Sequence, residues 1–415
     1  MLVLSPPMMF RMFMHNSLSA HWILLFAIWF IVLEYRHKLW RGAWILLFAA
    51  SLLVHPYLVA MLVPLWAISL YFQSMHEKKI WPKVVVDILA VSGVLLLVGY
   101  SIGIFSLKIN HLAQSSYGFY SWNMNGFLNP LYTSAFLKEM LTGTSGQYEG
   151  YSYLGLGNLL ILIAAFYLLV QKDVPRRQLS FILPFLIAAS LFVLFSLTNQ
   201  GLLGNRLLWD FKLPQFISDL FGMFQGSGRF IWPVFYFLVL FGLIYIIRND
   251  RLPTLILALG LIIQLADMQP LIEIKRIEGT AEYQTPMQSE FWSQAAQSNR
   301  HLFLLPAWDD VISIYQPIAL YAQQNQLTIN WSFFARGDYV SIATLGRQVW
   351  QELQAGQSDP QTMYIFWHPE WVENAQENLA GNMLLCTVDG YTIALSVENP
   401  ITRTNFDLNP YCTFP

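Results

Sequence analysis

The amino-acid sequence predicts an α-helical polytopic membrane protein with about eight membrane segments, followed by a carboxyl-terminal extracytoplasmic domain of mixed α/β type. Three observations carry this prediction. Of 415 residues, 55% are hydrophobic and 12% are charged, about half the roughly 25% charged residues of a soluble protein. The charges are also divided, with 17 Lys/Arg and 10 Asp/Glu in residues 1–269 but 6 and 15 in residues 270–415. Finally, the basic residues of the first part cluster in alternate loops. A net charge of −2 offers no broad basic surface, so no nucleic-acid partner is expected.

A hydrocarbon core about 30 Å thick takes roughly 20 apolar helical residues. Stretches of this character lie at 18–34, 84–106, 153–170, 179–198, 229–247 and 252–268. One further apolar run between Gly42 and Phe72 is interrupted by His55-Pro56-Tyr57. Proline disfavours helix at the residue before it, so this run is expected to form two helices, 43–54 and 58–72. At 1.5 Å per residue each arm spans only about 18–23 Å, which makes them short or tilted.

Orientation follows from the loop charges. Loops 35–41, 74–83, 171–178 and 248–251 carry eleven Lys/Arg in 29 residues. The opposite loops, at 1–17, 55–57, 107–152 and 199–228, hold only Arg11, Lys108, Lys138, Arg206 and Lys212. The basic loops are therefore expected in the cytoplasm, and the long loops and the acidic tail outside. Residues 1–17 lack the uninterrupted apolar run of a signal peptide, and Pro6-Pro7 rules out an early long helix. They are expected to lie at the outer interface, as in an amino-terminally shortened form of a larger protein.

The 107–152 loop is too long for a simple connection and too rich in aromatics (Tyr117, Phe119, Tyr120, Trp122, Phe127) to be merely disordered. In the 199–228 loop an amphipathic helix is expected near 214–224, with Phe216, Leu220 and Phe224 facing inward. The tail alternates strands (301–306, 327–330, 363–367, 383–388, 391–396) with helices (311–325, 339–354, 370–379), the pattern of a small α/β domain. Asp389-Gly390 is a hairpin turn pair, and no phosphate-binding glycine motif is present. The two cysteines, Cys386 and Cys412, both lie in the tail. An extracytoplasmic location permits a disulfide between them; two buried thiols are the alternative.

Several stretches carry a resemblance: Ser5-Pro6-Pro7 through Ala20-His21-Trp22, His55-Pro56-Tyr57, Gly146-Gln147-Tyr148-Glu149-Gly150 with Tyr153-Leu154-Gly155-Leu156-Gly157, Gly228-Arg229-Phe230-Ile231-Trp232-Pro233, and Asn330 with Phe334-Ala335-Arg336. The chain resembles bacterial multipass inner-membrane proteins that are distantly similar to the GT-C class of glycosyltransferases. That resemblance implies sugar transfer to cell-envelope glycans from a polyprenyl-phosphate-linked donor at the outer membrane face. It also implies a catalytic carboxylate in the first extracytoplasmic loop, a segment that would precede residue 1. A glycan acceptor and a membrane lipid or polyprenyl-linked sugar are the implied partners. The second expectation is non-enzymatic: a transporter, flippase or assembly partner for envelope polysaccharide. Deep charges in several helices would mark a transporter, and Asp87 and the His-Pro-Tyr break are the hints of that kind.

Among candidate site residues, Glu149 could act as a base or hold an acceptor hydroxyl or metal, against the plainer reading of a solvated loop acid. Tyr148 beside it is a candidate substrate-binding residue. Arg229 opens a membrane helix and suits a lipid-linked phosphate, against snorkelling to headgroups. His55 could bind phosphate or cap the broken helix. Arg206 could bind substrate, although Asp210, one helical turn on, suggests a local ion pair. Asp87 lies near Lys83 and is expected to pair with it. Asp309-Asp310 read as helix caps, and Trp308, Trp331 and Trp367 as core residues rather than sugar platforms. No cofactor motif is evident, and a divalent metal has no motif support.

Overall fold

The computed structural model describes residues 2, 4–40, 42–76, 81–106, 117–171, 176–307, 312–331 and 339–413. Trp308, Asp309-Asp310 and Phe334-Ala335-Arg336 lie outside the described residues. The chain divides into two compact units, the first ending at Ala281 and the second running from Glu282 to the carboxyl end.

The first unit is helical: α1 (Pro6–Arg11), α2 (Trp22–Tyr35), α3 (Gly42–Val54), α4 (Pro56–His76), α5 (Trp81–Ser101), α6 (Leu156–Val170) and α7 (Arg176–Leu197). A hairpin of β1 (Gln200–Leu203) and β2 (Arg206–Asp210) follows, then α8 (Gln215–Gly222), α9 (Trp232–Asn249), α10 (Pro253–Asp267) and α11 (Gln269–Thr280). Among the described residues five helices are long and apolar enough to cross a membrane, at Asn16–Tyr35, Pro56–Met75, Trp81–Ser101, Ser180–Leu197 and Ser227–Asn249. The pair α10 and α11 qualifies together but bends by 58° at Met268, while α3 and α6 are shorter apolar helices.

These helices are apolar on both their inner and outer faces. Ile23, Ala27 and Ile31 of α2 pack with Leu58, Leu62 and Leu65 of α4 in one buried cluster. On the outer faces Leu89 and Leu97 of α5, Ile163 of α6 and Leu194 of α7 are exposed. A soluble monomer rarely exposes continuous apolar surface of this kind. The break at 55–57 forms as expected, because Pro56 starts α4 and the Tyr57 N–H donates to His55 Nδ1 at 3.2 Å.

Four features differ from the sequence reading. α6 starts at Leu156 rather than 153, because Gly155 adopts φ +82° and the Leu156 N–H is capped by Asp267. A Cβ on Gly157 would come within 2.0 Å of the Gly260 carbonyl, so only glycine lets α6 approach α10 this closely. The first unit also runs past residue 269. Leu271 of α11 is buried with Met9 and Phe10, and Lys275 Nζ donates to the Met12 carbonyl at 2.9 Å.

Arg206 and Asp210 lie in a strand, not a helix. Four residues of strand span about 13 Å, so the expected one-turn ion pair is replaced by two exposed side chains at opposite ends of β2. In α8 Phe216 and Leu220 point outward, exposed by 73% and 56%. Phe224, just beyond α8, packs inward on Phe195 as expected, and Phe221 takes the inward place within the helix, since that ring lies on the opposite side from Phe216 and Leu220.

The second unit contains α12 (Glu290–Ser298), β3 (His301–Leu305), α13 (Ile312–Gln324), β4 (Thr328–Ile329), α14 (Tyr339–Gln354), β5 (Thr362–Phe366), α15 (Pro369–Asn378), β6 (Met383–Val388), β7 (Tyr391–Ser396) and β8 (Cys412–Thr413). Its described strands form a mixed sheet in the order β4-β3-β5-β7-β6-β8. β3 is parallel to β4 and β5, and the remaining pairings are antiparallel. The Asp389-Gly390 turn has both residues at positive φ, which suits a two-residue hairpin. Asp389 also accepts from the Gln288 and Ser289 N–H groups and from Trp292 Nε1, tying α12 to the hairpin. Cys386 and Cys412 are joined by a disulfide between β6 and β8. Trp331 is buried in the core, and Trp367 packs against it.

Candidate functional site: a buried arginine–glutamate–arginine cluster

Four segments far apart in sequence converge within the first unit. The first is α1, whose proline start suits a helix N-terminus, where the missing N–H would be unpaired anyway. It delivers Arg11 at its last position. The second is the 310 turn Ser145–Gly150, which carries Glu149, and the third is the 310 turn Ser227–Ile231, which carries Arg229. The fourth is the start of α4, which supplies Tyr57. Each belongs to one of the stretches that carried the sequence resemblance.

The turns meet through glycine. A Cβ on Gly228 would stand 2.9 Å from both Gly150 Cα and the Tyr120 carbonyl oxygen. Without side chains the two backbones touch, and the Gly228 N–H donates to that carbonyl at 2.9 Å. The 117–155 loop is packed around this contact by its polar side chains. Asn123 Nδ2 donates to Gln147 Oε1 at 2.8 Å and to the Gly204 carbonyl. Trp122 Nε1 donates to Ser152 Oγ at 2.9 Å.

At the centre one oxygen of Glu149 accepts two charged hydrogen bonds, from Arg11 Nη2 and Arg229 Nε, each at 2.7 Å. Arg11 Nη2 also donates to the carbonyls of Glu149 (2.9 Å) and Tyr148 (3.3 Å). The Arg11 guanidinium is ringed by Phe10, Tyr148 and Trp232, and Arg229 lies 4.7 Å from the centre of the Tyr57 ring. Tyr57 is itself fixed, its hydroxyl accepting from the Gly226 N–H at 2.9 Å. Arg11 is 1% exposed and Glu149 4%. Two buried atoms here, Arg11 Nε and Ser227 Oγ, have no hydrogen-bond partner among the described residues.

Burial would raise the Glu149 carboxyl, but Arg11 and then Arg229 outweigh it and hold it down at about 2. Burial lowers the Arg11 guanidinium from its ordinary value, with Glu149 opposing. An arginine nonetheless stays protonated. The cluster therefore carries two positive charges against one negative. A carboxylate so stabilised is a poor proton acceptor at neutral pH. Its geometry is that of a counter-ion that orients both guanidiniums.

The other candidates fall apart from this centre or only touch it. Tyr148 contributes its carbonyl to Arg11, its ring centre lies 5.7 Å from that guanidinium, and it is 38% exposed. His55 caps α4, its Nδ1 accepting from the Tyr57 N–H, and its ring contacts that of Tyr57. Arg206 is exposed on β2. Arg11 is the residue that sequence reasoning missed. The available signal was a lone charge within the apolar run around Met8–Phe13, because a buried arginine is rare unless paired.

A second polar centre surrounds Asp267, at the end of α10 and wholly buried. It accepts from Tyr153 hydroxyl (2.7 Å), the Leu156 N–H (3.0 Å) and Ser134 Oγ. Gln264, one turn earlier, accepts from the Asn158 N–H and donates to the Leu154 carbonyl. Elsewhere in the first unit, Tyr236 hydroxyl bonds both Ser5 Oγ and His21 Nδ1 at 2.9 Å. Among the described residues no group of three or more His, Cys, Asp or Glu side chains is placed to hold a metal ion.

No curated protein and no solved structure matches the chain. Residues 291–396 match the DUF6311 C-terminal domain. Residues 1–269, which contain every residue of the arginine–glutamate–arginine cluster, match Domain of unknown function (DUF6311), and the chain belongs to that family.

Proposed function

We propose that this chain is a bacterial integral inner-membrane protein with a GT-C-like fold. In this reading it binds the phosphate of a polyprenyl-linked sugar at Arg11 and Arg229 and takes part in glycosyl transfer to cell-envelope glycans. The observation that carries the reading is the excess positive charge of the Arg11–Glu149–Arg229 cluster, with a buried Arg11 Nε that has no partner among the described residues. Buried polar atoms are nearly always paired, and paired guanidiniums suit phosphate oxygens. In the same reading the helices cross the membrane, and the cluster and the second unit lie on the extracytoplasmic side. An apolar groove of about 220 Å³ between α4 and α7, flanked by Pro64 and Pro184, is of a character to take a lipid chain.

A specific observation also favours the non-enzymatic reading, that of a carrier, flippase or assembly partner. Among the described residues the two buried carboxylates of the first unit, Glu149 and Asp267, are already engaged by hydrogen-bond donors. One experiment tests both readings, using the full chain in lipid vesicles with a radiolabelled polyprenyl-phosphate sugar as donor and a cell-envelope glycan fraction as acceptor. Enzymatic transfer predicts product formation that falls at least about tenfold in Arg229→Ala and partly recovers in Arg229→Lys. Binding without product supports the carrier reading. Binding and transfer both unchanged in Arg229→Ala would reject the site.

A further inference from the structure

The second unit holds a cleft of about 300 Å³ lined by Arg347, Trp350, Gln351, Gln354, Trp371 and Asn374. We infer that this cleft is a saccharide-binding site for one or two pyranose rings, independent of the phosphate reading of the first unit. Arg347, Trp350, Gln351 and Gln354 stand at i, i+3, i+4 and i+7 of α14, hence on one face of the helix. Trp371 and Asn374 stand at i and i+3 of α15 and face them across the cleft. The two indole rings lie 5.7 Å apart at 63°. The Trp350 ring lies 5.8 Å from the buried Phe366 ring, so the aromatic floor is held by the core while its other side remains open.

The chemistry of the lining selects the ligand class. A pyranose presents an apolar C–H face and a rim of hydroxyls that both donate and accept. Indole supplies a large flat apolar surface with a polar N–H at its edge, and neither indole N–H has a partner among the described residues. Glutamine and asparagine amides donate and accept at once, whereas arginine only donates. The Gln351 and Gln354 amides are likewise free of protein partners among the described residues. Charge is also placed selectively. Residues 282–415 contain thirteen Asp/Glu and four Lys/Arg. None of the acids lines the cleft, although Glu370, Glu373 and Glu377 sit on α15 itself. A basic peptide or a metal cation would need those carboxylates at the lining; a sugar does not. The volume falls at the small end of ligand pockets.

The test uses the full chain in a detergent without a sugar headgroup, since a maltoside would compete. The probes are maltohexaose, chitohexaose and oligogalacturonate, titrated by calorimetry. We expect saturable binding of at least one probe, in the roughly millimolar to micromolar range. Gln351→Ala and Gln354→Ala, both at exposed positions, should each weaken it about fivefold to tenfold. Trp371→Ala should abolish it and Trp371→Phe retain part of it, with melting temperatures held near that of the parent. No saturable binding by any probe at roughly 10 mM would overturn the proposal. So would binding unchanged in the glutamine and Trp371 variants, or binding lost in Arg229→Ala, which would locate the sugar in the first unit. Loss of phosphate binding in Arg229→Ala with saccharide binding intact supports the cleft and separates the two proposals.

Discussion

Arg11 and Glu149 are separated by 138 positions in the chain and meet at 2.7 Å, both almost wholly buried. Removing one partner of a buried ion pair leaves an uncompensated charge, which typically destabilises by about 3–5 kcal/mol. Glu149→Ala leaves two such charges. It is expected to lower the unfolding midpoint of the detergent-solubilised protein substantially more than Arg206→Ala, which alters an exposed strand. Equal effects of the two variants would rule out a structural role for the cluster.

The same pair sets a dependence on acid. The Glu149 carboxyl is held down at about 2, against an ordinary 4.5. Its ionised form therefore stabilises the folded state fully above pH 4.5, and this contribution is lost as pH falls from 4.5 towards 2. Unfolding followed across that window should steepen in the parent. The steepening should be reduced in Glu149→Gln, which has no proton to bind; an identical pH profile for both proteins would refute the assignment.

Gly228 and Gly150 bring the two site turns together. In Gly228→Ala the added methyl meets Gly150 Cα and the Tyr120 carbonyl, both at 2.9 Å. Backbone atoms cannot rotate away as a flexible side chain can, so an overpacking loss of about 1–3 kcal/mol is expected. Under the proposed function, polyprenyl-phosphate binding weakens with it. Calorimetric unfolding that matches the parent would show that the turns separate without loss.

Asp267 satisfies three donors from the long loop and the start of α6. Asp267→Ala orphans all three, and each buried unpaired group costs about 1–3 kcal/mol. Asp267→Asn, which keeps one carbonyl oxygen, should lose less. Protease nicking within 117–155 is the measurement, and it should rise in the order parent, Asp267→Asn, Asp267→Ala.

The disulfide closes a loop with a sequence separation of 26. For a loop of this size cross-linking typically contributes about 2–4 kcal/mol. Cys386→Ser with Cys412→Ser should lower the stability of the second unit. In the native protein, alkylation of both thiols should require prior reduction, and labelling without reductant would sink the assignment.

Much of the architecture was legible along the chain because its signals are local. Apolar runs, the Pro56 break, the Asp389-Gly390 turn and the alternating strands and helices of the tail each depend on neighbouring residues. Strand and helix at β2 were confused because the Arg206–Asp210 spacing suits a helical turn, while pairing with β1, a tertiary term, decided the local conformation. The inward side of α8 was misjudged for a related reason. An amphipathic pattern gives a helix two candidate faces, and the position of Phe195 selects one.

The candidate site divides along the same line. Composition, by itself, determined that the chain is rich in apolar helices long enough to span a membrane and singled out Glu149 and Arg229, since charges are rare in so apolar a chain. That these two share one oxygen contact with Arg11, over a floor made by Gly150 and Gly228, was decided by tertiary packing alone. A sequence displays which charges must find partners when buried. Only the fold brings partners 80 and 138 residues apart to within 2.7 Å, because no local pattern along the chain records that contact.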